Sequence, residues 1–553
     1  MGKVKRERKK LWGFQNNRFG RIAAAVALLL MVCGSVGAFE IPTGIEDLDL
    51  RWDNTLKYNF GYRTEGQDSA ILKNPNVDDG DRNFNKGIIS NRFDILSELD
   101  IQFKKKYGAR FSAAGWYDQR YHDALDNTSI ATSNHLENGR PAIGLSNVTK
   151  RYFAGPEAEL LDAFVFSNFD LGAVPVNLKV GRHTLYWGES LTLSGAIHGV
   201  SYAQMPIDVI KAFAVPGSEA KELFRPLFNI STQVQLTDKF SIAGQYFLEW
   251  ESYRFPEAGS YSSFSDILLQ GGESLISGPA RFLHGPDSQP SGKKDWGLSA
   301  RWTPRWLDGT LGVYYRRLSD KLPQTQLNPV KGQYSFVYGD SVDLYGLSLA
   351  KQLFGVSIGA ELSYRKNMPL ISDAVVSIQR PAEGETLGAR GNTWHGVLNF
   401  IGSLTPPLCD QASWSLEFTW NRWDSVTQGN PYFKGRDGYT AIDRVSKDFM
   451  GVGANFTPIW FQVFPGMDLS MPLSYSRGLS GNAAVSFGGN ESAGNYSLGL
   501  SLDVYNKYKF DLKYIDFFGD FTTGPTGAVT VSNGAFGLLS DRGMVTFTLK
   551  VTF

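Results

Sequence analysis

Cysteine is almost absent from this chain of 553 residues, which contains only Cys33 and Cys409. Without the basic and apolar start of the chain, Cys409 alone remains, so no internal disulfide and no thiolate metal cluster can form. The sequence beyond that start also lacks any run near the roughly twenty apolar residues of a membrane-spanning helix. Other forces must therefore hold the fold together.

An excess of one charge is missing as well, since 55 basic residues face 55 acidic ones. The basic residues are concentrated at the start, where they precede an apolar run at 22–32 and small residues that end at Ala38. This pattern predicts a secretory signal peptide over 1–38, cleaved after Ala38, and a mature domain over 39–553. Removal of 1–38 leaves 47 basic and 54 acidic residues, a net charge of −7. An acidic mature chain disfavours nucleic acid as a partner.

Alternation of apolar and polar residues is the dominant pattern of the mature chain. At its end, one parity carries only apolar side chains, and the other carries threonine and lysine. The apolar set is Val545, Phe547, Leu549, Val551 and Phe553. The same two-residue period recurs near 50–63, 92–104, 240–250, 296–302, 344–364, 414–420 and 498–504, which predicts amphipathic strands.

Short connections alternate with long ones along these strands. Nine long loops are predicted near 64–91, 121–158, 184–227, 252–294, 319–341, 367–392, 424–448, 477–494 and 519–542. Nine long loops imply about eighteen strands. Short turns at one end and long loops at the other are typical of an outer-membrane barrel. A soluble sandwich or propeller is the alternative, but no fixed repeat period favours a propeller.

The prediction is therefore an all-β fold, a transmembrane antiparallel β-barrel of about eighteen strands in the bacterial outer membrane, with long extracellular loops. Such a barrel leaves no strand edge unpaired in lipid. We expect the strand that ends at Phe553 to pair with the first strand near 50–62. A terminal aromatic also resembles the signal that the barrel assembly machinery reads.

Four segments resemble the domain-of-unknown-function 1302 family of proteobacterial outer-membrane proteins. They are V-G-R-H-T-L-Y-W-G-E-S at 180–190, P-I-D-V at 206–209, P-G-S-E-A-K-E at 216–222 and N-V-D-D-G-D-R-N-F at 76–84. The resemblance spans essentially the mature chain, and His183 stands where the family pattern has glutamine. It implies a fold, an outer-membrane location, and a role beside inner-membrane lipid-type exporters in handling hydrophobic compounds.

The third long loop, 184–227, is too apolar for a simple rim loop. It carries ten large or aliphatic apolar side chains that would be costly to leave in water. The hypothesis is that it folds inward as a plug, tied to charged wall residues or capping the strand end. The residues assigned to anchoring or gating are Arg182, His183, Trp187, Glu189, Asp208, Lys221 and Glu222.

Charges of both signs occupy the inward parity of the first strands, which favours a salt-bridge lattice over a selective ion pore. They are Arg51, Asp53, Lys57, Arg92, Asp94, Glu98, Asp100 and Arg110. The acidic run Asp78, Asp79, Asp81 and Asn83 is a weak calcium candidate that lacks the spacing of a calcium-binding loop. A solvated acidic turn is the preferred interpretation, with no metal and no cofactor expected.

A hydrolase is the competing enzyme hypothesis, with His122 and Ser190 as its candidates. Ser190 lies in G-E-S-L-T, which misses the final glycine of a nucleophile elbow. An adhesive barrel and a general diffusion porin are further alternatives. The favoured function is passage of small hydrophobic or amphipathic molecules without covalent chemistry. The partners expected are outer-membrane lipid or lipopolysaccharide, the assembly machinery through Phe553, and a periplasmic carrier or inner-membrane exporter.

Overall fold

The computed structural model describes residues 39–214 and 220–553, so the predicted leader and Ala38 lie outside it. One closed antiparallel sheet dominates the fold. No helix within these two ranges combines the length and apolarity of a membrane-crossing helix.

Eighteen strands form the barrel, which confirms the predicted fold class and strand number. They are β1 Leu48–Arg63, β2 Gly87–Phe103, β3 Tyr107–Asp118, β4 Glu157–Leu171, β5 Val174–His183, β6 Leu227–Thr237, β7 Phe240–Phe247, β8 Trp296–Trp302, β9 Gly309–Leu318, β10 Val342–Leu353, β11 Val356–Pro369, β12 Arg390–Leu404, β13 Gln411–Gln428, β14 Asp448–Phe464, β15 Met467–Ser470 with Leu473–Ser480, β16 Gly494–Val504, β17 Tyr508–Phe518 and β18 Met544–Thr552. Each pairs with its sequence neighbours.

The barrel closes between β1 and β18, in register from Thr55 with Thr552 to Arg63 with Met544. Beyond the last ladder pair, the Asn54 N–H donates to the Phe553 carbonyl at 2.7 Å, and the Phe553 N–H donates to the Asn54 carbonyl at 2.9 Å. The short strand Phe39–Glu40 pairs with β1 next to this point. The pairing that the terminal alternation predicts is therefore confirmed.

The outer face of the barrel is apolar and carries aromatic rings at one level. Tyr315, Tyr345, Tyr364 and Trp394 are successive cross-strand partners on β9 to β12. Ring centroids lie 5.2 Å apart for the first two and 4.6 Å apart for the last two. Aliphatic side chains below them, such as Leu347, are more than half exposed. An apolar band with an aromatic ring is the surface that contacts lipid.

Nine long connections lie at one end of the barrel and are numbered loops 1 to 9 in chain order. Within the described residues, the helices lie in these loops, as α1 Asp79–Arg82, α2 Asn147–Thr149, α3 Leu193–His198, α4 Val209–Ala214 and α5 Ala220–Leu223, with single turns at Gln119–Tyr121, Lys150–Ala154, Asn430–Tyr432 and Phe536–Leu539. Loops 4, 5 and 6 build a five-stranded sheet from Ser274–Ser277, Ala280–His284, Gln324–Asn328, Gln333–Val337 and Val375–Val376. Two small hairpins, Leu136–Glu137 with Arg140–Pro141 and Phe521–Thr523 with Val529–Ser532, complete the loops.

Candidate functional site

Loop 3 follows β5 and covers residues 184–226. Most of its apolar side chains are buried rather than exposed, and Val200, Ile197 and Ile207 are all at most 2% exposed. They pack with loop 4 residues and with Tyr314 of β9 and Leu344 of β10 in one apolar cluster. Side chains from the inner face of several wall strands bind this loop.

Two wall carboxylates bind backbone N–H groups of loop 3. Glu361 of β11 accepts from the N–H groups of Glu189, Ser190 at 2.8 Å and Val200 at 2.5 Å. Glu361 is 6% exposed. A buried carboxylate needs several donors to offset the loss of its hydration, and the loop backbone supplies them.

Glu417 of β13 repeats this arrangement at the start of α3. Its carboxylate accepts from the N–H groups of Leu191 at 2.7 Å and Thr192 at 3.0 Å, and from the Thr192 hydroxyl. Thr192 is also the residue that caps α3, since its Oγ1 accepts from the Gly195 N–H. The wall and the helix cap therefore share one residue.

Two buried arginines bind the carbonyl oxygens of the same loop. Arg365 of β11 donates to the carbonyls of Ile197 at 2.9 Å and Gly199 at 3.0 Å. Arg316 of β9 donates to the carbonyls of Val200 at 2.8 Å and Tyr202 at 2.7 Å. Arg365 and Arg316 are each at most 1% exposed. Donors and acceptors of the loop main chain are therefore both satisfied by the wall.

A histidine pair joins α3 to β12. His198 Nδ1 lies 2.9 Å from His395 Nδ1, and His198 Nε2 lies 2.7 Å from the Gly488 carbonyl of loop 8. Because a carbonyl only accepts, His198 Nε2 carries the proton and its Nδ1 accepts from His395. Burial lowers the pKa of His198 to about 3, so its neutral form is stabilised.

Three of the predicted anchoring residues contact either the barrel wall or another residue of loop 3. Glu189 pairs with Arg301 of β8 at 3.0 Å. Glu222 of α5 pairs with Lys57 of β1 at 2.6 Å, on the far side of the barrel from β8. The backbone N–H of Trp187 donates to the side-chain oxygen of Gln204 at 2.8 Å, within loop 3.

The other predicted anchors contact different partners. Arg182 pairs with Glu249 and Glu251 after β7, at 2.9 and 3.3 Å, and Asp208 pairs with Arg254 of loop 4 at 2.9 Å. His183 contacts the Ser231 hydroxyl of β6 at 2.7 Å. Lys221 belongs to α5, and its side chain lies outside the described part of the chain.

The charged residues of the first three strands pair mainly along the wall. Arg51 lies 2.7 Å from Asp53, and Arg92 lies 2.8 Å from Asp94. Arg110 contacts Glu98, Asp100 at 3.1 Å and Asp162 of β4 at 3.5 Å. Lys57 reaches loop 3 through Glu222.

The acidic run of loop 1 is buried, so its interpretation as a solvated turn is wrong. Asp78, Asp79, Asp81 and Asn83 are all at most 4% exposed, because α1 lies under loops 2, 4 and 9. Asp81 binds Arg63 at 2.7 Å and Arg542 at 3.2 Å. Burial raises the pKa of Asp78 to about 6 and that of Asp79 to about 7. Within the described residues, no three ligating side chains are grouped for a metal ion.

The two hydrolase candidates, Ser190 and His122, contact different residues of the described chain. The Ser190 hydroxyl lies 2.6 Å from the Tyr186 hydroxyl and 3.4 Å from that of Ser201. His122 stacks on Tyr117 with ring centroids 4.8 Å apart. These contacts hold Ser190 within loop 3, and neither of its two hydroxyl partners is a histidine.

Sequence reasoning missed the four wall residues that bind the loop 3 backbone: Glu361, Glu417, Arg316 and Arg365. Two of them had a signal. Glu361 and Glu417 lie within segments whose alternation predicts strands, at the parity opposite to Leu362 and Phe418, so each is a charge on the inner face. The alternation shows that these side chains lie on the inner face of the barrel, but it does not show which groups they bind.

The match to a family model covers almost the whole chain. A model described as a protein of unknown function, DUF1302, matches residues 18–553. The chain belongs to the DUF1302 family. The resemblance in the four sequence segments is thereby confirmed. No curated protein matches this DUF1302 chain.

Several solved structures are similar to this DUF1302 chain. Acinetobacter baumannii OccAB4 is 9% identical, with 91% of this chain and 98% of that chain covered and a TM-score of 0.42. Pseudomonas aeruginosa OpdK, crystallised with vanillate, is 10% identical, with coverages of 92% and 99% and a TM-score of 0.41. A BenF-like porin from Pseudomonas fluorescens Pf-5 is 10% identical, with coverages of 92% and 98% and a TM-score of 0.39.

Family, closure and surface together establish the location. A closed antiparallel barrel satisfies its backbone groups without water, and an apolar outer face with an aromatic ring matches a bilayer. This DUF1302 chain is a barrel of the bacterial outer membrane.

Proposed function

We propose that this barrel is an outer-membrane channel for small hydrophobic or amphipathic molecules, that loop 3 narrows its lumen, and that it performs no covalent chemistry. The proposal rests on the hydrogen bonds that hold the loop 3 backbone against the inner wall. The wall residues that form them are Glu361, Glu417, Arg316 and Arg365. A loop held in this way lies across the path that a solute must follow.

The charge pattern supports a cargo other than a simple ion. Basic and acidic side chains of β1 to β3 neutralise each other along the wall, whereas an ion-selective pore concentrates one sign. The exposed apolar side chains of loop 3, Leu191 and Leu193, add surface that suits an apolar solute.

The proposal extends to partners. Cargo of low solubility requires delivery or removal on the periplasmic side, which a carrier or an inner-membrane exporter would provide. Outer-membrane lipid or lipopolysaccharide would contact the apolar outer face. Phe553, which follows the closing strand, is the proposed signal for the barrel assembly machinery.

Single-channel conductance in planar bilayers tests the channel and its narrowing. The purified protein is compared with a variant that lacks residues 190–215. The control lacks residues 329–332, an exposed tip of the loop 5 hairpin. We expect low or no conductance in the parent and the control, and a wide pore after the loop 3 deletion.

Two outcomes contradict the proposal. A wide, steady pore in all three proteins identifies a general diffusion porin in which loop 3 does not obstruct the lumen. A folded barrel that stays closed after the deletion removes the channel function itself.

A further inference from the structure

A cavity of about 350 Å³ lies between loop 3 and the wall formed by β14, β15 and β16. Loop 3 contributes Leu193 and Ile197 from α3 and Val209 from α4, while loops 4 and 8 contribute aromatic side chains. The anchoring contacts described above go to β1, β8, β9, β11, β12 and β13. The cavity therefore occupies the side of the lumen that those contacts leave open.

The lining of this cavity is almost free of charge. The inward positions of its wall side are glycine, serine and asparagine apart from Phe449, and Arg477 is the one ionisable lining residue with a formal charge at neutral pH among the described residues. Arg477 alternates with Ser476 and Gly478, whose register places them on the inner parity, so it belongs to the opposite face. The wall of β1 to β3, by contrast, carries a charged side chain at most inward positions.

The polar groups of the cavity wall are bonded to one another. Ser474 Oγ lies 2.7 Å from Ser497 Oγ, Ser476 donates to Asn495, and Asn455 donates to Ser415 at 3.0 Å. Such a surface can exchange single hydrogen bonds with a hydroxyl or carbonyl, but it offers no ion to pair with a carboxylate or an ammonium.

Three phenylalanines line the opposite side. Phe255 and Phe487 stack with centroids 4.2 Å apart, and Phe264 lies edge-on at 5.8 Å from Phe487. Phe487 is 39% exposed and has a φ of 57°. A bulky residue in the left-handed region is uncommon, and such residues cluster at functional sites.

Small residues keep the space open. A methyl group built on Gly453 would lie 3.2 Å from the Cγ2 atom of Thr192. Thr192 is the residue whose backbone N–H binds Glu417. The cavity thus lies directly beside the anchored start of α3, and its volume is at the lower end of the range for small-molecule sites.

From these observations we infer that this cavity is the binding site for the cargo, and that it takes neutral amphiphiles rather than carboxylates or ammonium ions. The apolar part of such a molecule contacts the three phenylalanines, and its uncharged polar end faces the serine and asparagine wall. The inference rests on the proposed channel function and specifies its substrate class.

Reaction rates of single cysteines test this chemistry. Cys33 and Cys409 are first replaced by serine, and Ser476→Cys then places a single thiol in the cavity. The control is Gln102→Cys, on the inward parity beside Asp100, where exposure is also intermediate. Each purified full-length protein reacts with a neutral phenyl maleimide and with a sulfonated maleimide of similar size, and intact mass gives the rates.

We expect the ratio of neutral to anionic rate at position 476 to exceed that at position 102 by at least tenfold. Phe487→Lys places a cation at the exposed ring and should return the ratio at position 476 to that of the control. Equal ratios at the two positions overturn the inference.

The outcome is separable from that of the conductance experiment. A tenfold preference for the neutral maleimide at position 476, with no pore after the 190–215 deletion, supports the binding site and contradicts the channel function. A pore after the deletion, with no preference for the neutral maleimide at position 476, supports the channel function and contradicts the neutral-amphiphile site.

Discussion

Glu417 illustrates how one buried side chain fixes a loop through its main chain. Its carboxylate is 1% exposed and accepts from two adjacent N–H groups and one hydroxyl. Hydrogen bonds to a charged group contribute about 1.5–3 kcal/mol each, and an orphaned buried charge costs more. The strength of the anchor therefore depends on the carboxylate form.

Replacement Glu417→Gln should release loop 3. The amide keeps one acceptor oxygen but turns an NH₂ group toward the N–H groups of Leu191 and Thr192, so we expect a loss of about 2 kcal/mol. That loss corresponds to about a 30-fold higher open-state population in single-channel records. Glu137→Gln, at an exposed loop 2 position, is the matched control. An unchanged open probability in the Glu417 variant would contradict the anchoring role.

At the residue scale, the sequence identified the faces of the strands but not the contacts between distant residues. Arg316 and Arg365 lie at inward positions, yet nothing in their local pattern shows that they bind carbonyls about 115 to 170 positions away. Lys57 and Glu222 were both predicted as functional, but their mutual pairing depends on barrel closure. Partner choice is a property of the tertiary structure, whereas alternation is local.

Loop 1 shows at the scale of an element why an acidic run is not evidence of exposure. Asp79 accepts from the Asn134 N–H of loop 2 at 2.8 Å, and its own N–H donates to Asp266 of loop 4 at 3.0 Å. Burial holds the pKa of Asp266 well above its usual range. The three outer loops are thus joined through carboxyl groups that share a poorly hydrated space.

This junction should weaken as the pH rises. The pKa of Asp79 is raised to about 7, so the folded loops bind a proton that released loops do not. Their stability is complete below about pH 4, declines as the pH rises toward 7 and levels off above that, so that about 1.4 kcal/mol is lost between pH 6 and pH 8.5. We expect about tenfold faster protease cleavage of loops 1 and 2 at pH 8.5 than at pH 6, after correction for protease activity.

Asp79→Asn tests the source of this dependence. The variant should show nearly equal corrected cleavage rates at the two pH values, whereas Asp437→Asn, at an exposed position of loop 7, should retain the dependence of the parent. A parent protein whose cleavage rate is flat between pH 6 and 8.5 would refute the assignment.

Element boundaries were largely predictable because hairpin-connected barrels repeat one local pattern. The nine long loops agree with the predicted ranges to within a few residues, and loop 3 begins at residue 184 as expected. The internal structure of the loops was not predictable. The five-stranded sheet of loops 4, 5 and 6 joins short strands separated by as many as about 50 residues, so no local signal records it.

The whole molecule presents a lumen with two chemically different sides. Paired charges line β1 to β3, and small uncharged side chains line β14 to β16. Because opposite charges alternate within a few ångströms, their fields nearly cancel along the axis. The open pore is therefore expected to discriminate little between small cations and anions.

Reversal potentials in a tenfold KCl gradient measure this balance. For the variant without residues 190–215, we expect a value within about 10 mV of zero, against about 59 mV for perfect selectivity. Arg110→Ser removes the shared partner of Glu98, Asp100 and Asp162, and should shift the potential toward cation selectivity. A strongly selective pore in the variant without residues 190–215 would show that another ring of charge controls ion selectivity.

The capture of loop 3 by main-chain atoms has a consequence for how this barrel can diversify. Glu361, Glu417, Arg316 and Arg365 bind groups that every amino acid carries, so they place few demands on which side chains the loop presents. Substitutions in loop 3, except at positions such as Thr192, Gly195 and Gly199, which lie directly against these carboxylates, can then alter what passes without loosening the loop. One scaffold could in this way acquire new cargoes by few mutational steps, each of them compatible with folding.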